Sequence, residues 1–548
     1  MGAKDLVKPE FKIAVEKMQS ALGQVKPSTA LSFNRRVMNA FLKSLIDPRE
    51  VLDALKDCKE WLVSLIWEHY ARKFKSVKRT NPTPTDDLDT AQAFLRQDIE
   101  HGVTSWETWY RLAQVFDAKI EDSLVWNALK INEQRSEITI LERNAINAYT
   151  MAAAAAMRGE TNDQETITKI QDMYYEFGAR LYASSRPPLN MEAFATDKVV
   201  RHLSHHETQQ MSKTLLIKPM SKYTVWKLAA RLVADGLATR PQSWQRPYLL
   251  SKCLWKMYQS NRNNTERDPV EVEDVVEAVE QAVKLVPKKE KSSEPILEPH
   301  LRLVSVVHKL QVLGDLETQK AAEVLKTSHY AANVDIKPDE DGILDWDRYV
   351  LDVLKKLQAA DKLGWHHRIF ARAAHVIFGP KKDVSGALGA KAQMTQQIFT
   401  KTMTLQVWKP ENERAGRHYV YTGEYLKFFV EVLFILKDRS NLEQVVRRIR
   451  RKTTDFINHT QIWEDTVTVY VKLLRTIGEV PRGRERELFD NVAFDQFVTD
   501  SERLEKWAHD HSNTSHHLDI LHDAVELKKL NNSLMKNPMI DDLIGDTY

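Results

Sequence analysis

The stretch Ser105–Asp117, SWETWYRLAQVFD, sets Trp109, Leu112, Ala113 and Phe116 at intervals that a helix gathers onto one face. The three large residues, spaced three and four apart, form a stripe, and small Ala113 beside them lets a second helix approach closely. A chain carrying such a face must bury it against other helices. Trp109, Leu112 and Phe116 are therefore expected to pack against the helix that follows.

The spacing W-x2-L-[G/A]-x2-[Y/F] is that of the first helix of a tetratricopeptide repeat, an architecture that presents surfaces to other proteins. Composition agrees with it. Only 17 glycines occur in 548 residues, so tight turns are few, while 43% of the chain is apolar, enough for a packed core. No sustained period-2 run calls for a sheet. The predicted fold is all-α, a tetratricopeptide-like helical solenoid in two or three blocks.

Punctuation along the chain divides it. Residues 1–80 read as an N-terminal helical segment, with Trp61, Leu62, Leu65, Ile66 and Tyr70 on adjoining faces, and NPTPTDD (Asn81–Asp87) closes it. A helical repeat block follows over 88–285, including the run Ala152–Ala156. The segment Val286–Pro299, with three prolines and clustered charge, reads as an exposed linker. A helical hairpin over 300–335 and a C-terminal helical block over 343–527 come next, with breaks at Ile336–Gly342 and Gly379–Gly389. Residues 528–548 read as a flexible tail.

Several chemistries are excluded. Cys58 and Cys253 are the only cysteines, so no disulfide framework or cysteine zinc site exists; both read as buried thiols. The histidine groups His202/His205/His206, His366/His367 and His511/His516/His517 lack an H-E-x-x-H spacing and are expected at helix caps and interfaces, not on metal. GALGAK (Gly386–Lys391) lacks the phosphate-loop pattern and reads as a turn entering a helix. No nucleophile or kinase signature appears. The expectation is a non-enzyme without metal or cofactor. The start MGAKDLVKPEF has no apolar core of a secretory signal, and Phe428–Leu436 is too short to span a bilayer, so no membrane contact is expected.

The C-terminal block is the most sharply patterned. Glu424–Asp438 is apolar nearly all round and reads as a central buried helix. Ser440 and Glu443 read as a capping box for the next helix, whose stripe is Leu442, Val445, Val446 and Ile449. Off that stripe lie Arg447, Arg448, Arg450 and Arg451, with Lys452 after them and Lys437 and Arg439 before. The arginines are expected to face outward, free to bind an acidic partner surface or DNA phosphates. Against this stands a plain solvated face, partly neutralised by Glu443. Gln461–Gly478 gives a further helix with Trp463, Val467, Tyr470, Val471 and Leu474 on one side.

Six segments together resemble one family: Tyr175–Phe194, Arg246–Tyr258, Leu297–Leu310, Leu363–Phe378, Thr395–Thr422 and Asn441–His459. They are similar to the histone transcription regulator 3 family, the large scaffold subunits of the HIR histone-chaperone complex, related to the animal calcineurin-binding protein cabin. The likeness runs in order from about Ser105 to Gly478, and the chain corresponds to a middle-to-C-terminal portion. The resemblance implies a nuclear, non-enzymatic scaffold that joins WD-repeat histone-regulator subunits. It further implies a part in depositing core histones H3–H4 outside replication and in repressing histone genes. DNA and self-association are the other partners such surfaces allow. The family carries no short motif that assigns site residues here.

Overall fold

In the computed structural model the described residues are principally 85–100, 105–125, 127–159, 163–195, 199–204, 210–215, 219–235, 242–262, 269–287, 295–336, 345–362, 366–379, 382–399, 415–480, 516–531 and 538–548. The expectations for residues 1–80, including Cys58, lie outside them. Contacts divide the chain into two compact units: one of 1–126 and 134–285, the other of 127–133 and 286–548.

The first unit is a run of helices, each packed on the next: α1 (Thr85–Glu100), α2 (Trp106–Val125), α4 (Arg135–Arg158), α5 (Gln164–Ser184), α6 (Lys222–Asp235), α7 (Gln245–Asn261) and α8 (Val272–Lys284). Helix α2 lies chiefly against α4. Its buried face is wider than the predicted stripe and turned from it. Leu112, Ala113 and Phe116 are buried, but Trp109 is only half-buried, and Tyr110, Ile120 and Leu124 take the inner positions. Tyr110 wins because its ring continues an aromatic stack: Tyr110 to Tyr149 of α4 at 6.2 Å, then Tyr149 to Phe177 of α5 at 5.4 Å.

A buried polar network crosses the same three helices. Arg180, 2% exposed, donates from Nε to Asp117 at 2.5 Å and from Nη1 to Glu142 at 3.4 Å. Tyr149 donates to the other oxygen of Asp117 at 2.9 Å. Burial and the nearby Asp117 and Glu176 carboxylates push its phenol well above its ordinary value. Farther along, Arg246 reaches Asp172 at 2.6 Å and lies over Tyr175.

The all-α expectation holds, with one local exception among the described residues. A two-stranded antiparallel hairpin, β1 (Val199–Ser204) with β2 (Gln210–Leu215), interrupts the helices, with Val199 opposite Leu215 and Ser204 opposite Gln210. Six-residue strands give too few alternations to stand out as a period, which is why the sequence pattern did not betray them.

The second unit takes the short helix α3 (Ala128–Glu133), which packs beside the turn Thr453–Asp455. Its other helices are α9 (Glu298–Val312), α10 (Thr318–Leu325), α11 (Trp346–Ala360), α12 (His367–Phe378), α13 (Val384–Gln397), α14 (Arg417–Ile435), α15 (Arg439–Arg451), α16 (His459–Gly478), α17 (His516–Asn531) and α18 (Pro538–Thr547). The end of the predicted linker is packed, not exposed: Leu297 is fully buried, and Glu298 and Pro299 begin α9. Pro299 suits that place, where a missing N–H costs no helical bond. GALGAK is helix, not turn. Gly389 sits in α13 where an added Cβ would come within 2.6 Å of Ile377, so its role is close packing on α12.

The core of this unit is the predicted central helix. Phe428, Phe429, Val432 and Leu433 of α14 join Leu442, Val445, Val446 and Ile449 of α15 and Trp463, Val467, Tyr470 and Leu474 of α16 in one cluster. The expected flexible tail is instead part of it. Ile540 and Leu543 of α18 are buried, and Asp546 pairs with Arg475 at 2.7 Å. Asp541 and Asp542 masked the apolar stripe of Met539, Ile540, Leu543 and Ile544 around them.

Candidate partner-binding surface

Helix α15 begins one residue before the predicted capping box. Asp438, not Ser440, is its N-cap, accepting from the Asn441 N–H at 3.2 Å, while Lys437 turns the chain with φ near +52°. Aspartate caps as well as serine, and its charge also takes Lys391 at 2.5 Å. Burial raises the Asp438 carboxyl, but the bonds from Lys391 and Asn441 outweigh it and hold the group below its usual value.

The expectation that the arginines face outward unengaged is corrected by their contacts. Arg439 donates to Asp523 at 2.5 Å and to the Asp519 carbonyl at 3.1 Å. Arg447 pairs with Glu443 at 2.8 Å and reaches Glu526 at 3.9 Å. Arg448 meets Asp455 at 3.4 Å, and Arg450 donates to the Leu530 carbonyl at 2.9 Å. Glu443, four residues before Arg447, was legible from spacing. The other partners come from the turn after α15 and from α17, and the α17 partners lie too far along the chain for spacing to reveal them. Lys437, Arg451 and Lys452 are the exposed members of the set.

A second polar cluster lies where α9, α11 and α12 meet. Arg372 donates from Nη2 to His308 Nδ1 at 2.6 Å. A guanidinium cannot accept, so His308 Nδ1 must, and the ring is neutral with its proton on Nε2. That Nε2–H then donates to Asp347 at 3.2 Å. Burial lowers His308, with the Arg372 charge adding to it against the pull of Asp347. Nearby, His300 shares a hydrogen bond with Ser328 at 2.8 Å, and burial, then the neighbouring His329, lowers it to about 3. His367, the histidine flagged beside His366, is buried and contacts the Tyr425 hydroxyl at 2.9 Å. His202 lies on β1. Among the described residues no group of three possible ligands forms a metal site. Sequence reasoning missed the Arg372 cluster because its members sit in three helices 64 residues apart at the extremes.

Two family models match this chain: the HIR3 helical bundle domain over residues 1–240 and the HIR3 TPR domain over residues 274–477. The chain belongs to the histone transcription regulator 3 family. A protein named histone transcription regulator 3 homolog from Aspergillus fumigatus is 43% identical over all of this chain and 28% of its own length. Namesakes from Chaetomium globosum (37% identical, 100% of this chain, 30% of the relative) and Schizosaccharomyces pombe (26%, 88% and 28%) are also similar. The chain thus spans less than a third of the length of these curated relatives. Among solved structures, a circular tandem repeat protein aligns over 90% of both chains at 10% identity, but with a TM-score of 0.18 it carries no argument. The repeat match begins at 274, so the Trp109 segment falls in the bundle domain instead. The Arg372 cluster and α15 itself lie within the repeat domain, while the α17 partners of the α15 arginines lie beyond it.

Proposed function

We propose that the chain is a non-enzymatic scaffold piece of a nuclear histone-chaperone complex, holding WD-repeat histone-regulator subunits together and supporting replication-independent deposition of H3–H4 and repression of histone genes. The observation that supports this most is the tetratricopeptide-domain match over 274–477, whose later helices, from α12 to α16, share one apolar core. Arg180 with Asp117 and Glu142, and Arg439 with Asp523, hold helices together, as befits a frame. Lys437, Arg451 and Lys452 are carried forward as contacts for an acidic partner surface or for DNA.

The test is purification of the tagged chain from cells of its source, with nuclease treatment, followed by identification of what is retained. Retention of WD-repeat histone-regulator subunits and of H3–H4 after nuclease is the expected result. Release of every protein by nuclease would favour a nucleic-acid module, and retention of none would overturn the scaffold reading.

A further inference from the structure

Arg372 is largely buried in α12 and yet makes no ion pair with a carboxylate among the described residues. Its Nη2 is held by a neutral imidazole, and its Nε is buried with no hydrogen-bond partner. Burial lowers even this guanidinium, to about 10. A second donor in the cluster also lacks an acceptor. Trp346, 6% exposed, lies nearly parallel to the His308 ring with 6.5 Å between centroids, and its Nε1–H is buried without a partner. The one ring acceptor here, His308 Nδ1, is already taken. Donors without acceptors cost free energy, and Asp347, which favours the Arg372 charge, does so without an ion-pair contact.

The surroundings add positive charge. Lys309 is exposed on α9, whereas His375, one turn after Arg372, keeps an exposed edge but is neutral, lowered to about 4. Lys309 and Arg372 both act on His375, adding to burial in lowering it. One turn before Arg372, Arg368 lies over Tyr421 at 6.0 Å, and Arg417 of α14 lies over the same ring at 5.1 Å. The facing acids are Asp347, which accepts from His308, and Glu431, which is paired with Lys382 at 2.6 Å.

We propose that the junction of α9, α11 and α12 binds an acidic protein segment, one carboxylate meeting Arg372 at its exposed part and a second meeting Lys309. The arginine fork fits a planar carboxylate. Nucleic acid fits less well, because a phosphate backbone is held by many cations in a row, whereas these are few, interleaved with aromatic rings and flanked by Asp347 and Glu431. The proposal needs a protein partner but not the histone-chaperone assignment, so peptide capture and co-purification can fail separately.

The probe is a fluorescein-labelled deca-glutamate peptide, titrated with the whole chain beside a deca-glutamine peptide and a labelled DNA duplex. Deca-glutamate should bind, deca-glutamine should not, and Lys309→Glu and Arg372→Gln should each weaken binding by about tenfold. Lys355→Glu, an exposed charge reversal on α11, should leave it unchanged. Lys309 is exposed, so its variant keeps the fold if Arg372→Gln does not. In the unaltered chain, deca-glutamate should also protect Arg372 from an arginine-specific glyoxal reagent, read by mass spectrometry. Equal binding by the Lys309 variant, no protection of Arg372, or tighter binding of the duplex than of deca-glutamate would overturn the proposal.

Discussion

Arg439, the first residue of α15, donates from Nε to Asp523 of α17 at 2.5 Å, and the Tyr470 hydroxyl donates to the same carboxylate oxygen at 2.8 Å. One buried acid, 8% exposed, therefore ties α15, α16 and α17 together. Burial would raise the Asp523 carboxyl, but its bonds from Arg439 and Tyr470 hold it below its usual value. Asp523→Ala should destabilise the second unit by roughly 2–4 kcal/mol, since it leaves a partly buried guanidinium and a buried hydroxyl without an acceptor. Urea unfolding followed by circular dichroism would check it, and a loss under about 0.5 kcal/mol would contradict the argument.

The turned face of α2 changes what truncation should cost. Leu112→Ala, at a buried position, should lose about 2–5 kcal/mol, whereas half-buried Trp109→Ala should lose clearly less than the ~3–5 kcal/mol of a core aromatic. Thermal melts of the two variants give the ranking, and the reverse order would restore Trp109 as the anchor.

Gly178 lies where α5 approaches α6 closely. A Cβ there would stand 2.8 Å from Val233 and 3.0 Å from the Ala229 backbone oxygen. Alanine would improve helix propensity by about 1 kcal/mol, but a backbone atom cannot step aside, and overpacking costs about 1–3 kcal/mol. Gly178→Ala should thus lower the melting temperature despite the better helix former.

Acid should weaken the second unit through its histidines. His300 titrates near 6.5 when unfolded and near 3 in the fold. A folded value that is depressed makes the stabilisation complete above pH 6.5 and lost as pH falls toward 3, because the unfolded chain binds the extra proton. The slope is about 1.4 kcal/mol per pH unit, so roughly 2 kcal/mol should go between pH 6.5 and pH 5. His308 is lowered in the same direction and adds to the effect. Denaturation midpoints across that range should fall, and His300→Gln should flatten the slope.

Reversing Arg447, Arg448 and Arg451 to glutamate should now carry a small cost in stability. Arg447 and Arg448 lose partly exposed pairs with Glu443 and Asp455, each worth about 0–1 kcal/mol. If Arg451 contacts a partner or DNA, the single variant Arg451→Glu should already give most of the binding loss of the triple. Salt titration of both variants separates the two effects.

What could be read from residue patterns was whatever depends on neighbours along one helix. The stripes of α14, α15 and α16 are of this kind, and Leu442, Val445, Val446 and Ile449 are all fully buried as their spacing requires. What depends on distant partners was not legible. Nothing in SNLEQVVRRIRRK announces that Asp523, Glu526 and the Leu530 carbonyl will come to lie beside its arginines. The Arg372–His308–Asp347 chain was hidden for the same reason, and β1 and β2 were hidden by being short. Asp438 displaced Ser440 as a cap because both can serve and only packing chooses between them.

The short helix α3 has a consequence for anyone dividing this molecule. Ala128 and Ile131 are fully buried, and Asn127–Glu133 counts with residues 286–548 although both its flanks count with the other unit. Scission near residue 286 would give a C-terminal half lacking a seven-residue piece that travels with the other half. Gene fission at the apparent boundary would therefore have to be accompanied by a replacement for that piece, and the two halves are better inherited as one.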